Sequence, residues 1–258
     1  MTAKPSPDGP ENARAAARRR GRVVAVVQAR MSSTRLSGKV LANLGGQPVI
    51  ARVLSRLARS REIDEIVVAT STEDSDDPLA DTVEQLGWPV VRGPLDDVLA
   101  RYALAAREHP GDGIVRITAD CPFIDPEIVD DVVRQWRESS ADYVANIIEP
   151  RTFPKGLDTE VISRSALEIA DAEATDPYDR EHVTPYIRNR PARFPSLAVR
   201  HSPPCPDVRL VLDTDEDLAL LRSLMDVVGP DASMAELVAA HPHAGPAAGG
   251  NPPRPSPR

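Results

Sequence analysis

Four short apolar runs, each followed by a stretch of helical periodicity, constrain this 258-residue chain more than any other feature. "RVVAVVQA" (22–29), "IDEIVVAT" (63–70), "WPVVRG" (88–93) and "GIVRITAD" (113–120) are rich in β-branched residues and lack strict apolar–polar alternation. Runs of that kind suit strands buried on both faces. "QPVIARVLSRLARS" (47–60), "DDPLADTVEQLG" (76–87), "DDVLARYALAARE" (96–108) and "DPEIVDDVVRQWRESS" (125–140) have the spacing of amphipathic helices. Gly87 ends the second of these and an Asp-Pro pair opens the fourth. Strand and helix in strict alternation predict a parallel sheet with right-handed crossovers and a helical layer on each face, an α/β three-layer sandwich.

The second half is less regular. "ADYVANII" (141–148) and "GLDTEVIS" (156–163) read as strands, "RSALEIADAEA" (164–174) and "DREHVTPYIRN" (179–189) as helices. "DVRLVLDTDEDLALLRSLMDVV" (207–228) reads as a strand, an acidic turn and a helix. This half is expected to extend the sheet and to supply one side of a cleft. Residues 22–240 form the predicted folded domain. The Pro-, Ala- and Arg-rich residues 1–21 and the Pro/Gly-rich residues 241–258 are predicted to be disordered tails.

With nine aromatic residues in the whole chain, the core must be built from Val, Leu, Ile and Ala. The net charge is −8, but residues 1–22 hold six basic and two acidic residues, which leaves −12 for the remainder. So acidic a body argues against nucleic acid as a partner. No stretch approaches the roughly 20 apolar residues of a membrane span. "ARRRGRVVAVV" does not read as a signal peptide, because Gln28 and Arg30 interrupt the short apolar run. Cys121 and Cys205 form neither a disulfide framework nor a zinc cluster, which predicts a cytoplasmic protein.

The loop after the first strand is the strongest functional signal. In an open α/β sheet, ligands bind at the carboxyl ends of the strands. Between Ala29 and Lys39 the chain offers Arg30, Arg35 and Lys39 as cations, with Ser32, Ser33 and other small residues as compact donors. Such a loop suits a polyphosphate; the alternative is a solvated basic loop. Neither G-x-x-x-x-G-K-[ST] nor G-x-G-x-x-G is present, so the two common phosphate fingerprints do not apply.

"QARMSSTRLSGKVL" resembles the nucleotide loop of the cytidylyltransferase family that includes the spore-coat polysaccharide, CMP-Kdo and acylneuraminate enzymes. The resemblance is closest to the spore-coat type and extends over most of residues 22–228. It includes "RGPLDDVLARY", "VRITADCPFIDPEIVD", "KGLDTEV", "REHVTPYI" and "LDTDEDL". Ser37 stands where these loops usually carry Pro, and Ala119 where a Gly usually precedes the Asp. The resemblance implies a Rossmann-like nucleotide-diphospho-sugar transferase fold, CTP as substrate, a sugar or sugar-acid acceptor, Mg2+ as cofactor and a homodimer. It implies that backbone groups near Gln28 and Ala29 read the base.

Several acidic positions carry two readings. Asp120 ends a strand beside the phosphate loop and is not needed as a cap, because Asp125 caps the following helix. Asp213 opens "DTDED", which alone reads as a good helix N-terminus. The family resemblance implies that Asp120 and Asp213 hold Mg2+, leaving Asp215, Glu216 and Asp217 to complement the helix dipole. Two oxygen ligands suit that ion. Asp97 reads as a helix N-cap or a nucleotide contact. Asp158 and Glu160 alternate along a predicted strand, giving either a solvated face or hydroxyl recognition on a sugar. Arg180, Glu181 and His182 read as a surface ion cluster or as acceptor contacts, and Lys155 is grouped with them. Cys121 reads as a packing residue.

The reaction implied is transfer of CMP from CTP to an acceptor oxygen with release of pyrophosphate. Three rivals stand beside it: a glycosyltransferase using a nucleotide-sugar, a cytidylyltransferase for a non-sugar phosphate or phosphonate, and a non-catalytic nucleotide binder. The single Asp of "TADCP", in place of the Asp-x-Asp common in glycosyltransferases, speaks against the first.

Overall fold

In the computed structural model, which describes residues 21–242, the four apolar runs lie side by side. They are β1 (Val23–Gln28), β4 (Glu65–Ser71), β5 (Val90–Gly93) and β6 (Gly113–Thr118). β1 pairs in parallel with β4 on one side and β6 on the other, and β5 joins β4 in parallel. The intervening helices are α1 (Val49–Leu57), α2 (Asp77–Gln85), α3 (Val98–Glu108) and α4 (Pro126–Glu138). Asp97 caps α3 by accepting from Ala100 N at 2.9 Å, and Asp125 caps α4 by accepting from Glu127 N at 2.9 Å. A two-residue turn at Gly45 and Gly46, both at positive φ, closes a small hairpin of β2 (Asn43–Leu44) and β3 (Gln47–Pro48) ahead of α1.

The second half completes the sheet with β7 (Tyr143–Ala145), β8 (Glu160–Ser163) and β9 (Ser196–Ala198), giving the order β5-β4-β1-β6-β8-β7-β9. β8 runs antiparallel to both β6 and β7, and β9 is parallel to β7, so the sheet is mostly parallel. Helices α5 (Arg164–Glu173), α6 (Pro177–His182), α7 (Pro185–Arg188), α8 (Asp215–Val228) and α9 (Met234–Ala240) complete the layers. Period-two alternation splits β1 between two cores. Val23, Ala25 and Val27 pack with α1, α4 and α8, while Val24 and Val26 pack with α3 and α5. Both faces are covered, which is why the run carries no polar residue before Gln28.

The structure corrects several expectations. "VRLVL" is extended but makes a single bridge, Lys155 with Arg209, and is not a strand of the sheet. The predicted helix over 179–189 breaks at Val183, whose φ is 69°, and separates into α6 and α7. The predicted strands over 141–148 and 156–163 shrink to β7 and β8. The predicted tails fall outside the described residues except for Gly21, His241 and Pro242. His241 is buried, with its ring Nε2 3.2 Å from the Arg209 carbonyl.

Candidate active site

The loop leaving β1 is drawn back over the sheet by its own hydrogen bonds. Ser33 N and Gly38 N both donate to the Met31 carbonyl, at 2.8 and 2.9 Å. Met31 N donates in turn to Asp76 Oδ1 at 2.7 Å. Asp76 is fully buried beyond the end of β4, and it also accepts from Thr70 Oγ1, Ser71 N and Ser71 Oγ. These bonds fix where the loop starts. Gly38 takes a left-handed conformation at φ 69°, and the 3-10 turn Lys39–Leu41 that follows turns Lys39 inward to 9% exposure.

There the lysine finds three acceptors. Its Nζ donates to Asp120 Oδ2 at 2.9 Å, Asp213 Oδ1 at 2.9 Å and the Leu212 carbonyl at 2.8 Å. Asp120 follows β6. Asp213 is brought opposite it because Leu212 N donates to the Asp120 carbonyl at 2.8 Å. The extended "VRLVL" segment therefore serves to deliver one carboxylate beside another. Asp213 also pairs with Arg35 at 2.9 Å and with Arg209 Nη2 at 2.7 Å. Burial pushes its carboxyl up, but the hydrogen bonds from Lys39 and Arg209 outweigh this and hold it below the ordinary carboxylate value. Burial lowers the Lys39 ammonium, and the Asp120 charge with the bonds to both carboxylates more than reverses that, so the lysine stays protonated well past neutrality.

These groups line a cleft of about 320 Å3 at the carboxyl ends of β1 and β6, within the size range of small-molecule sites. Of the residues singled out in the sequence, Gln28, Ala29, Arg30, Ser33, Arg35 and Lys39 line it from the loop side. Asp120, Asp213, Glu181 and His182 face them. Ser32 is exposed and does not line it.

The other acceptor-side residues go elsewhere. Glu160 is 1% exposed and takes its partners inside the fold: Arg116 Nη1 at 2.5 Å and the Tyr143 hydroxyl. It is neither on a solvated face nor at the cleft, because β8 is covered on both sides. Arg180 is spent in a structural ion network with Asp97 and Asp171, at 2.7 and 2.9 Å, which also occupies Asp97. Asp158 pairs with Arg151; burial, only partly countered by that arginine, leaves its carboxyl raised. Lys155 is exposed and bridges to Arg209 through its backbone. Cys121 is buried, and burial with the Asp120 charge pushes its thiol far up, as befits a packing residue.

Thr34, Val98, Arg101 and Thr118 also line the cleft and were not anticipated. Arg209 was missed as a third cationic partner of Asp213, beside Lys39 and Arg35; its signal was a basic residue four positions ahead of that carboxylate. Asp217 does more than complement the dipole, since it closes a capping box with Thr214 at the start of α8.

Asp120 and Asp213 are the groups that could hold a metal. Both contact one ammonium, so their nearest oxygens lie no farther apart than twice 2.9 Å. A pair of hard oxygen donors beside a loop rich in cations and backbone donors fits a divalent ion that keeps water and takes phosphate oxygens as further ligands. Among the described residues no cluster of three or more His, Cys, Asp and Glu side chains offers another site. No helix among them is long and apolar enough to cross a membrane.

The sequence model of the cytidylyltransferase family matches residues 24–229. The spore coat polysaccharide biosynthesis protein SpsF of Bacillus subtilis is 34% identical over 225 residues, covering 84% of this chain and 92% of that protein. The solved structure of a cytidylyltransferase from Leptospira borgpetersenii is 33% identical, superposes with a TM-score of 0.80, and covers 84% of this chain and 92% of its own. CMP:2-keto-3-deoxy-manno-octonic acid synthetase complexed with CTP is 17% identical and shares the fold, with a TM-score of 0.64 over 80% of this chain and 99% of that one. By fold, by loop and by sequence, the chain belongs to the cytidylyltransferase family and is a CTP-using nucleotidyltransferase.

Proposed function

We propose that this enzyme transfers CMP from CTP to a hydroxyl of a sugar or sugar-acid acceptor, with Mg2+ as cofactor and pyrophosphate as the second product. The observation that carries this reading is the meeting of Lys39, Asp120 and Asp213 within 2.9 Å contacts under a loop that adds Arg30 and Arg35. In the reaction, the acceptor oxygen forms a bond to the α-phosphorus as the bond from that phosphorus to the β-bridging oxygen breaks. The acceptor hydroxyl gives its proton to solvent water, and the pyrophosphate leaves with the bridging oxygen. Little covalent work falls to the protein, so positioning and charge dominate.

Arg30, Arg35 and Lys39 hold the triphosphate and stabilise the charge that accumulates on the leaving group. The loop amides and Ser33 add neutral donors. Asp120 and Asp213 would hold Mg2+, which would supply charge neutralisation at the phosphates and acidify the acceptor hydroxyl. Glu181 and His182, exposed at the mouth of the cleft, are the acceptor contacts supported by their position. Gln28 and Ala29, at the end of β1, face the nucleoside. The similarity to SpsF and to the CMP-Kdo enzyme supports a sugar-type acceptor.

Pyrophosphate release with CTP and Mg2+, run against a panel of sugar acids, amino-sugar acids and neutral sugars, tests this reading. Release that depends on one such acceptor supports it. Release only with a non-sugar phosphate or phosphonate would replace the acceptor class.

A further inference from the structure

Arg101 is a cleft-lining cation buried without an ion-pair partner among the described residues. It is 1% exposed, yet its Nε and Nη1 are buried without a hydrogen-bond partner. Among the described residues no carboxylate lies within ion-pair distance of it. The nearest candidates are already committed. Asp97 accepts from Ala100 N and from Arg180, and Asp76 accepts from Met31 N, Thr70 and Ser71. The neighbouring cleft cation Arg30 adds repulsion. Burial is the largest influence on the guanidinium and lowers its pKa, and the charges of Asp76 and Asp97 only partly offset it. An uncompensated buried charge costs stability, and an acceptor on a bound ligand removes that cost.

The backbone makes room for this arrangement. A Cβ at Gly93, at the end of β5, would stand 2.8 Å from Arg101 Cγ, so only glycine lets the arginine stem pass. Val98, one helical turn earlier, lines the cleft beside Arg101. Topology then says which part of the ligand lies here. The phosphate end, at Lys39, Asp120 and Asp213, is on the β6 side of β1. α3 follows β5 and packs on β4 and β5, on the opposite side of β1. A nucleotide with its phosphates at Lys39 directs its nucleoside toward α3.

We infer that Arg101 reads the nucleobase, its planar fork donating to the adjacent O2 and N3 acceptors of cytosine. The inference rests on CTP occupying this cleft. Two parallel donors match two adjacent acceptors. Uracil presents O2 beside an N3–H donor, so the same fork meets a donor and loses one bond. Arg101 is thereby a specificity-determining residue for CTP over UTP.

Calorimetric titration of CTP and UTP, each with Mg2+, into the wild-type enzyme, Arg101→Met and Arg101→Lys tests this, with a melting temperature for each protein. Wild type should bind CTP more tightly than UTP. Arg101→Met removes the unpaired charge and keeps an unbranched chain of similar length, so its melting temperature should stay level or rise. Its CTP affinity should fall by about 10- to 100-fold, with a much smaller fall for UTP. Arg101→Lys keeps the charge but loses the fork, and it too should lose discrimination. Equal losses for CTP and UTP, near wild-type binding in the lysine variant, or a clear drop in melting temperature for Arg101→Met would each overturn the inference, the second by assigning a phosphate partner. Wild-type enzyme that binds neither nucleotide would remove the cleft assignment itself, and this inference with it.

Discussion

Asp76→Asn tests how the phosphate loop is held, and the structure fixes what the change must cost. The two carboxylate oxygens of Asp76 accept four hydrogen bonds in full burial: Met31 N at 2.7 Å on one oxygen, and Thr70 Oγ1, Ser71 N and Ser71 Oγ on the other. An asparagine has one oxygen. Turned one way it faces its amide against Met31 N; turned the other way it faces it against Ser71 N. Either orientation leaves a buried backbone N–H without an acceptor and removes the charge from the bonds that remain. At about 1–3 kcal/mol for each such loss, the variant should be destabilised by roughly 2–4 kcal/mol. For a domain of this size that is roughly 5–12 °C in melting temperature. Burial raises the Asp76 carboxyl, but the bonds from Ser71, Met31 and Thr70 outweigh it and hold the group below its ordinary value of 3.8. As pH falls, the unfolded chain therefore takes up the proton first. The stability this group gives is complete well above 3.8 and is lost as pH drops through its lower folded value. Urea denaturation of wild type and variant between pH 7 and pH 3 reads both effects. The variant should start less stable and lose less on acidification. Equal stability at pH 7 with parallel acid limbs would refute the assignment of Asp76 as the loop's anchor.

Three further substitutions separate chemistry from framework. Lys39→Met should lower pyrophosphate release by at least about 100-fold, because the cation proposed to stabilise the leaving group is gone; near wild-type turnover would contradict that role. Glu160→Gln breaks the interior pair with Arg116 and should cost about 3 kcal/mol in denaturant melts, with the KM for acceptor unchanged. A KM effect without a stability effect would return Glu160 to the acceptor site. Asp125→Ala removes the cap of α4 and the acceptor of Met234 N, at 2.8 Å; a loss of about 1–2 kcal/mol with kcat near wild type is expected.

The parts of the fold that could be read from the sequence share a physical reason. β1, β4, β5 and β6 bury apolar residues on both faces, so their runs are mostly apolar, broken within the strands by few polar residues such as Arg92 and Arg116, and the helices between them each bury one face. Where burial and pairing part company, the reading fails. Val208, Leu210 and Leu212 are buried at alternate positions and so look like a strand, but their backbone makes one bridge and then turns to reach Asp120. The break at Val183 had a signal in Pro185, which has no N–H to donate to a carbonyl in the preceding turn and so cannot continue the predicted helix, opening α7 instead. The loop cations stood out as charge concentrated after a strand, and Asp120 as a carboxylate that no helix needed for a cap, whereas Asp213 read on its own as a helix N-terminus and was singled out through the family resemblance. Glu160 was not, because alternation along β8 shows that a side chain faces one side without showing what covers it; its partner Arg116 sits opposite in the β6–β8 register. Arg101 carries no signal in the sequence, since an arginine on an amphipathic helix reads as a solvated one until its neighbours are known.

The measurement that bears most directly on the central claim is CTP affinity in the presence of Mg2+, by calorimetry, for wild type against Lys39→Met, with melting temperatures to show that both are folded. Micromolar-scale binding by wild type and a loss of at least about 100-fold in the variant is the expected result, since the lysine is the best-buried cation of the phosphate end. CTP bound equally well by both folded proteins would mean that the triphosphate lies elsewhere and that the cleft under the β1 loop is not the transfer site.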